Sequence, residues 1–496
     1  MRKKRLVWNT FASLINQLVV AVCGLILPRA ILEAFGSELN GLVFSISQFL
    51  GMIAFLELGV GAVVQSSLYK PLADKDDNEL SKIMVSAKRF FRNIALIFTV
   101  YIVVITIFYP VIVDSNFSWA FSAVLIIILS VNSLAEYYFG IVNQLLLNAD
   151  QRAYVQLTLQ SIIQILNVIF CVILIKLGFS IHIVKLATAT IFMVRPLCQW
   201  HYINKNYNID YTIKLTGEPI KQKWNGLAQH IAAVVLDKTD AVVLTMFATL
   251  SDLSIYSVYY LVVNNLRRLI QSTTIGIQSL FGNMVANGEE DKLNETFDLV
   301  EISTHLAVTF IFTCCQCLLV PFVSVYTKGI TDTNYNVPVF AVLICLANAL
   351  YSFRNSYNML IKAAGHYKQT QNSAIIEVVI NVVISLALVI KWGLIGVAVG
   401  TLVAMAYRTL YFVFYLKTNI IHRPMRIFIK NICLDAIIAL ITVALVNLVK
   451  LDVNNYLEWV ILAGIVAVIC GFICLVFNWF IYKDRLFKAM KYFRRK

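Results

Sequence analysis

The feature that most limits what this chain can fold into is a succession of apolar runs, each long enough to cross a bilayer and each closed by charged or turn-forming residues. A helix needs about 20 predominantly apolar residues to span the hydrocarbon core. On that criterion spans fall at about 6–32, 41–68, 91–113, 118–147, 153–175, 180–203, 225–249, 253–285, 297–326, 336–361, 369–390, 392–416, 427–449 and 456–482. Composition agrees: 59% of the 496 residues are hydrophobic and 14% charged, against about 45–50% and about 25% in soluble domains. The expectation is an all-α integral membrane protein of fourteen transmembrane helices. The opening Met1-Arg2-Lys3-Lys4-Arg5 runs into apolar sequence with no small-residue cleavage site, so it reads as the start of span 1 and not as a removed signal peptide.

Net charge is +14, and its placement decides what it means. With the N-terminus inside, 29 Lys and Arg residues fall in inner segments and four in outer loops, Lys176, Lys328, Lys391 and Lys450. That asymmetry predicts both termini in the cytoplasm. All seven tryptophans fall near span ends, where an interfacial aromatic belt belongs. The basic loops are explained by topology and by attraction to anionic membrane lipid, so nucleic acid is set aside as a partner. The ten cysteines lie inside apolar segments and read as packing residues; with no HxxxH spacing, no metal and no cofactor is expected. The longest outer loops, about 113–118 and 326–338, are too short to carry a catalytic domain, so the chain is not expected to be an enzyme. No Walker motif is present, so ATP is not used directly.

The sequence also matches itself. At an offset of 213, Gln65-Ser66 meets Gln278-Ser279, Ala73 meets Ala286, Asp77 meets Glu290, Leu80 meets Leu293 and Arg195 meets Arg408. Asn167 meets Asn381 at 214, and Ile175-Lys176-Leu177-Gly178 meets Ile390-Lys391-Trp392-Gly393 at 215. Halves of six spans have the same orientation, so the repeat is parallel, about a pseudo-twofold along the membrane normal. The expected organisation is a six-helix lobe over 1–203, a cytoplasmic linker over 204–224, a second six-helix lobe over 225–420, and helices 13 and 14 with a basic tail over 421–496.

Several segments resemble a known family. Asn9, Gln17 and Leu27-Pro28-Arg29 in span 1, Leu56-Glu57-Leu58-Gly59-Val60-Gly61 running into Ser67 to Ala73, Leu145 to Arg152, and His230 with Lys238-Thr239-Asp240 and Tyr256 to Tyr259 are similar to bacterial Wzx-type polysaccharide flippases. These belong to the multidrug/oligosaccharidyl-lipid/polysaccharide exporter superfamily. The resemblance covers residues 1 to about 420 and implies a MATE-like fold. It implies a flippase of the bacterial cytoplasmic membrane that moves a polyprenyl-diphosphate-linked oligosaccharide by alternating access, for a downstream polymerase. A lipid II flippase and a cation-coupled multidrug antiporter share the architecture; against the antiporter, span 1 has no carboxylate between Val7 and Leu32.

Ionisable residues inside spans are costly and mark a cavity or pathway by default. A diphosphate calls for cations, and the planar guanidinium can bond two phosphate oxygens at once. Arg29, Arg267, Arg268 and Arg354, with Lys238, are therefore the expected cavity cations. Arg29 could instead snorkel to the interface, and Arg195 and Arg408 could pair structurally at matching places in the repeat. On span 7, His230 and Asp237 share a face, and Asp237 or Asp240 could bind a coupling proton or sodium ion, unless Asp237 and Lys238 neutralise each other. Glu57, Glu136 and Glu377 read as lone carboxylates that could act as gates or partners for the arginines.

Overall fold

The computed structural model describes residues 2–56, 58–113, 116–213, 215, 217, 227–272, 274–449 and 451–494. Among them there is no strand. In chain order the helices are α1 (Arg2–Gly51), α2 (Leu58–Asp74), α3 (Asp77–Ile112), α4 (Trp119–Ala135), α5 (Ile141–Ala149), α6 (Ala153–Lys176), α7 (Ile181–Asn206) and α8 (Leu227–Phe247). There follow α9 (Leu250–Gln271), α10 (Thr274–Ala286), α11 (Glu290–Tyr326), α12 (Pro338–Phe353), α13 (Asn355–Ala363), α14 (Gln371–Asn419), α15 (Met425–Asn447) and α16 (Tyr456–Arg494). Two of these are double spans: α1 turns at Gly36 (φ 79°) and α14 at Gly393 (φ 50°), conformations that need a residue without Cβ. Conversely, spans 2, 4, 8 and 10 each consist of two helical pieces, and each of the fourteen expected crossings is helical over most of its described residues.

Ten helical stretches, the two double spans among them, are long and apolar enough to cross a membrane. The expected spans missing from that set are the seventh and eighth, α8 and α9–α10. Their polarity is the reason: α8 carries Asp237, Lys238 and Asp240, and α9 carries Asp252, Asn264, Asn265, Arg267 and Arg268.

Backbone geometry repeats along with the sequence. Left-handed residues occur at Lys75, Gln151 and Gly178 and again at Gly288, Gly365 and Gly393, which lie 213, 214 and 215 residues further on. Span 4 is interrupted by a π turn at Glu136–Gly140, and span 10 is interrupted at Arg354, 214 residues after Gly140.

The chain forms two compact units, Met1–Ser254 and Ile255–Lys496. Residues 214, 216 and 218–224 of the expected 204–224 linker lie outside the described residues. In the first unit α8 packs on the second half of α1 and on α2. Asn40 Nδ2 donates to Ser254 Oγ (2.7 Å), and Ser45 and Thr245 hydroxyls meet at 2.8 Å. Gly41 sits against the Leu250 carbonyl so closely that a Cβ would overlap it. At the N-terminal end of α1, Asp150 accepts from Arg5 (3.0 Å), Arg152 (2.7 Å) and the Tyr207 hydroxyl (2.7 Å). Burial and the adjoining Asp150 carboxylate push the Tyr207 phenol above its ordinary range.

In the second unit, the two halves of α14 pack through Gly396 and Gly400, which abut the Leu388 backbone and the Ser385 hydroxyl. This is the small-xxx-small spacing that lets membrane helices approach where no hydrophobic force drives them together. Spans 13 and 14 dock on α11: Ile302, Leu434, Ile438, Cys470, Ile473 and Cys474 form one buried cluster. All ten cysteines are free thiols.

Candidate functional site

The second unit brings together polar side chains from four spans, the eighth, tenth, eleventh and twelfth. The start of α9 is fixed by a reciprocal cap: Asp252 accepts from the Thr249 N–H and hydroxyl, and Thr249 Oγ1 accepts from the Asp252 N–H (3.1 Å). Some five turns later Arg267 donates to Asn264 Oδ1 (2.8 Å) and lies 4.9 Å from the Tyr351 ring centroid. Tyr351 is on α12, whose last turns are loosened because Asn348 and Ser352 side chains bond back to carbonyls four residues earlier. The helix breaks there, at Arg354, whose guanidinium lies 4.1 Å from the same Tyr351 ring. The Tyr351 hydroxyl accepts from Gln271 Nε2 (2.9 Å).

Glu377 on α14 joins Arg354 to Arg408. It is fully buried, one carboxylate oxygen on the Arg354 guanidinium and the other 2.5 Å from Arg408 Nη1. Lys362, on α13, lies within electrostatic reach of Tyr351, Arg354 and Arg408. Among the described residues the cluster therefore sets four cations, the buried Arg354 and Arg408 and the half-buried Arg267 and Lys362, against the single carboxylate of Glu377. An excess of positive charge of this kind stabilises an anion, and cation–π contacts with Tyr351 hold two guanidiniums in fixed orientation.

The first unit arranges its charges differently. Glu136, in the π turn, accepts from Arg195 of α7 (2.6 Å) and from Gln144. A Cβ at Gly140 would crowd the Glu136 carboxylate, which would have to shift. At the helix break of this unit stands an acid neutralised by one arginine; at the corresponding break of the second unit stands an arginine.

The expected site residues divide accordingly. Arg267 and Arg354 come together; Arg268 is exposed on α9 and outside the cluster. Arg29 pairs with Glu33 one turn on (3.7 Å). Lys238 donates to Gln48 Oε1 (2.8 Å) and lies 3.8 Å from Asp237 Oδ2, so these two α8 neighbours do form a pair. Asp240 is buried on the same helix. The His230 side chain and Glu57 lie outside the described residues. Of the two roles expected for Glu136 and Glu377, gates or partners for the arginines, the structure shows the second. Each is held by arginine, because a carboxylate at that depth without a countercharge would cost several kcal/mol. Arg195 and Arg408 both pair, as their matching places in the repeat suggested, but with acids at places that do not match. Tyr351 and Lys362 were not singled out from sequence; no local pattern distinguishes Tyr351 from the other 22 tyrosines.

These features define a multi-pass membrane fold built from a duplicated six-helix set and a C-terminal helix pair, with a cationic interior cluster. Among solved structures the chain is similar to the lipid II flippase MurJ in an inward closed conformation, with a TM-score of 0.73 at 16% identity over 97% of this chain and 100% of that one. It is also similar to an inward-facing multidrug resistance MATE family transporter of the MOP superfamily (TM-score 0.57, 15% identity, 83% and 96% covered). A MATE transporter of Vibrio cholerae follows (TM-score 0.53, 12% identity, 84% and 98% covered). These likenesses show a MATE-like fold. No family model matches the chain, and no curated protein matches it in sequence.

Proposed function

We propose that the protein is a flippase that moves a polyprenyl-diphosphate-linked oligosaccharide across the bacterial cytoplasmic membrane by alternating access, for surface polysaccharide synthesis, with both termini cytoplasmic. The observation that carries this reading is the excess of cations over Glu377. Four cations and one carboxylate favour a diphosphate and repel the cationic compounds that a multidrug antiporter would carry. The guanidiniums of Arg267 and Arg354, oriented on Tyr351, are the proposed phosphate-binding groups, and Lys362 adds an ammonium. Direction would come from a coupling proton or sodium ion, for which Asp237 and Asp240 are the proposed first-unit positions, or from consumption of the product by a polymerase.

A second reading, lipid II as cargo, is favoured by the end-to-end coverage of the MurJ chain, since the MATE structures leave about a sixth of this chain unmatched, a length close to that of spans 13 and 14. Both cargoes present a diphosphate to the same cluster. Depletion of the protein in its host, followed by mass spectrometry of extracted lipids, separates them. Accumulation of a polyprenyl-diphosphate oligosaccharide, with loss of surface polymer, is the expected result. Accumulation of lipid II establishes the second reading. No accumulation of either, with altered sensitivity to cationic dyes, refutes both.

A further inference from the structure

A second buried polar cluster lies in the second unit, where the C-terminal helix pair meets α11. On α11, Asp298, Glu301 and His305 follow one another at helical spacing. Arg423, in the connection before α15, pairs with both Asp298 and Glu301. The Tyr357 hydroxyl of α13 donates to Glu301. One turn further along α11, His305 Nδ1 is 2.5 Å from Asp435 Oδ2 of α15. The imidazole stacks on Phe353, ring centroids 4.6 Å apart, and meets Phe428 edge-on. Glu301 is 0%, His305 4% and Asp435 8% exposed.

Charge counting exposes an imbalance. Among the described residues, two buried carboxylates, Glu301 and Asp435, face one guanidinium, Arg423, which also holds the partly exposed Asp298. The other titratable groups in reach, Tyr357 and Cys474 of α16, supply no positive charge. With Arg423 set against Glu301 and a neutral imidazole, the buried Asp435 carboxylate has no countercharge among the described residues, and an uncompensated negative charge in a low-dielectric interior is costly. With Nδ1 donating to Asp435, His305 keeps one further acceptor: Nε2 is buried and has no hydrogen-bond partner. A small cavity of about 10 Å³, room for roughly one water molecule, is lined by Glu301, Tyr357, Arg423 and Phe428 at the cluster's edge.

We propose that His305 and Asp435 form a proton-binding site in which Nε2 takes up a proton and the His305–Asp435 contact becomes an ion pair clamping α15 to α11. The proton balances the charge of Asp435. This inference does not depend on the cargo and goes beyond the flippase reading: it gives the helix pair a chemical attachment to the second unit in addition to its apolar one.

The test is nitrogen NMR on the full-length protein in lipid nanodiscs with ¹⁵N-labelled histidine, the His305 resonances being those missing from His305→Gln. At about pH 6 both ring nitrogens of His305 are expected to carry hydrogen, and at about pH 9 Nε2 is expected to be bare. Asp435→Asn is expected to abolish the doubly protonated form at about pH 6, and Asp435→Glu, which keeps the charge, to restore it. A bare Nε2 at every pH, or an Asp435→Asn protein that titrates as the wild type does, overturns the proposal. So does loss of the Nε2 proton on adding sodium at fixed pH, which makes the site one for a metal cation.

Discussion

Glu377 is the residue on which the cationic cluster turns. Its carboxylate is the shared counterion of Arg354 and Arg408, and all three are buried. Breaking a buried pair by removing one partner leaves the other charge uncompensated and typically costs 3–5 kcal/mol. Glu377→Gln is therefore expected to destabilise the purified protein by about 3 kcal/mol, read as a fall in thermal unfolding temperature. An unchanged midpoint would mean that the arginines are compensated by other groups. At this scale the sequence was partly legible. Arg267 and Arg354 stand out because charged residues inside spans are rare, and the same rule points to Glu377. What it could not supply is partnership: Glu377 finds Arg354 23 residues earlier and Arg408 31 later, a pairing made only by the packing of α12 against α14. Nor could it separate Arg267 from Arg268, since adjacent residues on a helix face different ways and a boundary error of one residue exchanges them.

Among the elements, the turns preserve the duplication more faithfully than the helices do. Apolar spans match any other apolar span, whereas a left-handed residue is needed only where the chain reverses. Two of these positions, Lys75 and Gln151, carry side chains in the first copy where the second has Gly288 and Gly365. A side chain in this conformation costs roughly 1–2 kcal/mol, partly offset in glycine by its greater loss of entropy on folding. Lys75→Gly is thus expected to stabilise the protein by about 0.5–1 kcal/mol, and Gly288→Lys to destabilise it by a similar amount, both measurable as shifts in unfolding temperature. Effects of the opposite sign would show that contacts of the Lys75 side chain outweigh its backbone strain. Helix number and the double spans α1 and α14 follow from apolar run lengths. The break at Arg354 does not, because the back-bonding of Asn348 and Ser352 that loosens α12 depends on rotamers no sequence pattern fixes.

For the molecule as a whole, the C-terminal pair is integral to the second unit. Besides the apolar cluster around Ile302 and Ile438, it supplies Asp435, and the connection leading into it supplies Arg423. A chain ending at Asn419 would leave Glu301 and His305 without these partners in an apolar interior. Such a truncation is expected to yield no monodisperse protein on gel filtration, while His305→Gln in the full chain, which removes the charged partner of Asp435 and leaves it an amide donor, still folds but is destabilised by about 3 kcal/mol. Recovery of a stable truncated protein would show that the first twelve spans form a complete fold.

On the proposed reading, the built-in counterion of the cationic cluster would make cargo binding there an exchange and not a capture. An arriving diphosphate would meet Arg354 already held by Glu377 and would gain there only the difference between two anions. In ion-exchange chromatography the resident ion keeps retention shallow enough for elution. A carrier has the same requirement, since whatever it takes up on one face it must release on the other, and a site holding its own spare anion never has to be emptied.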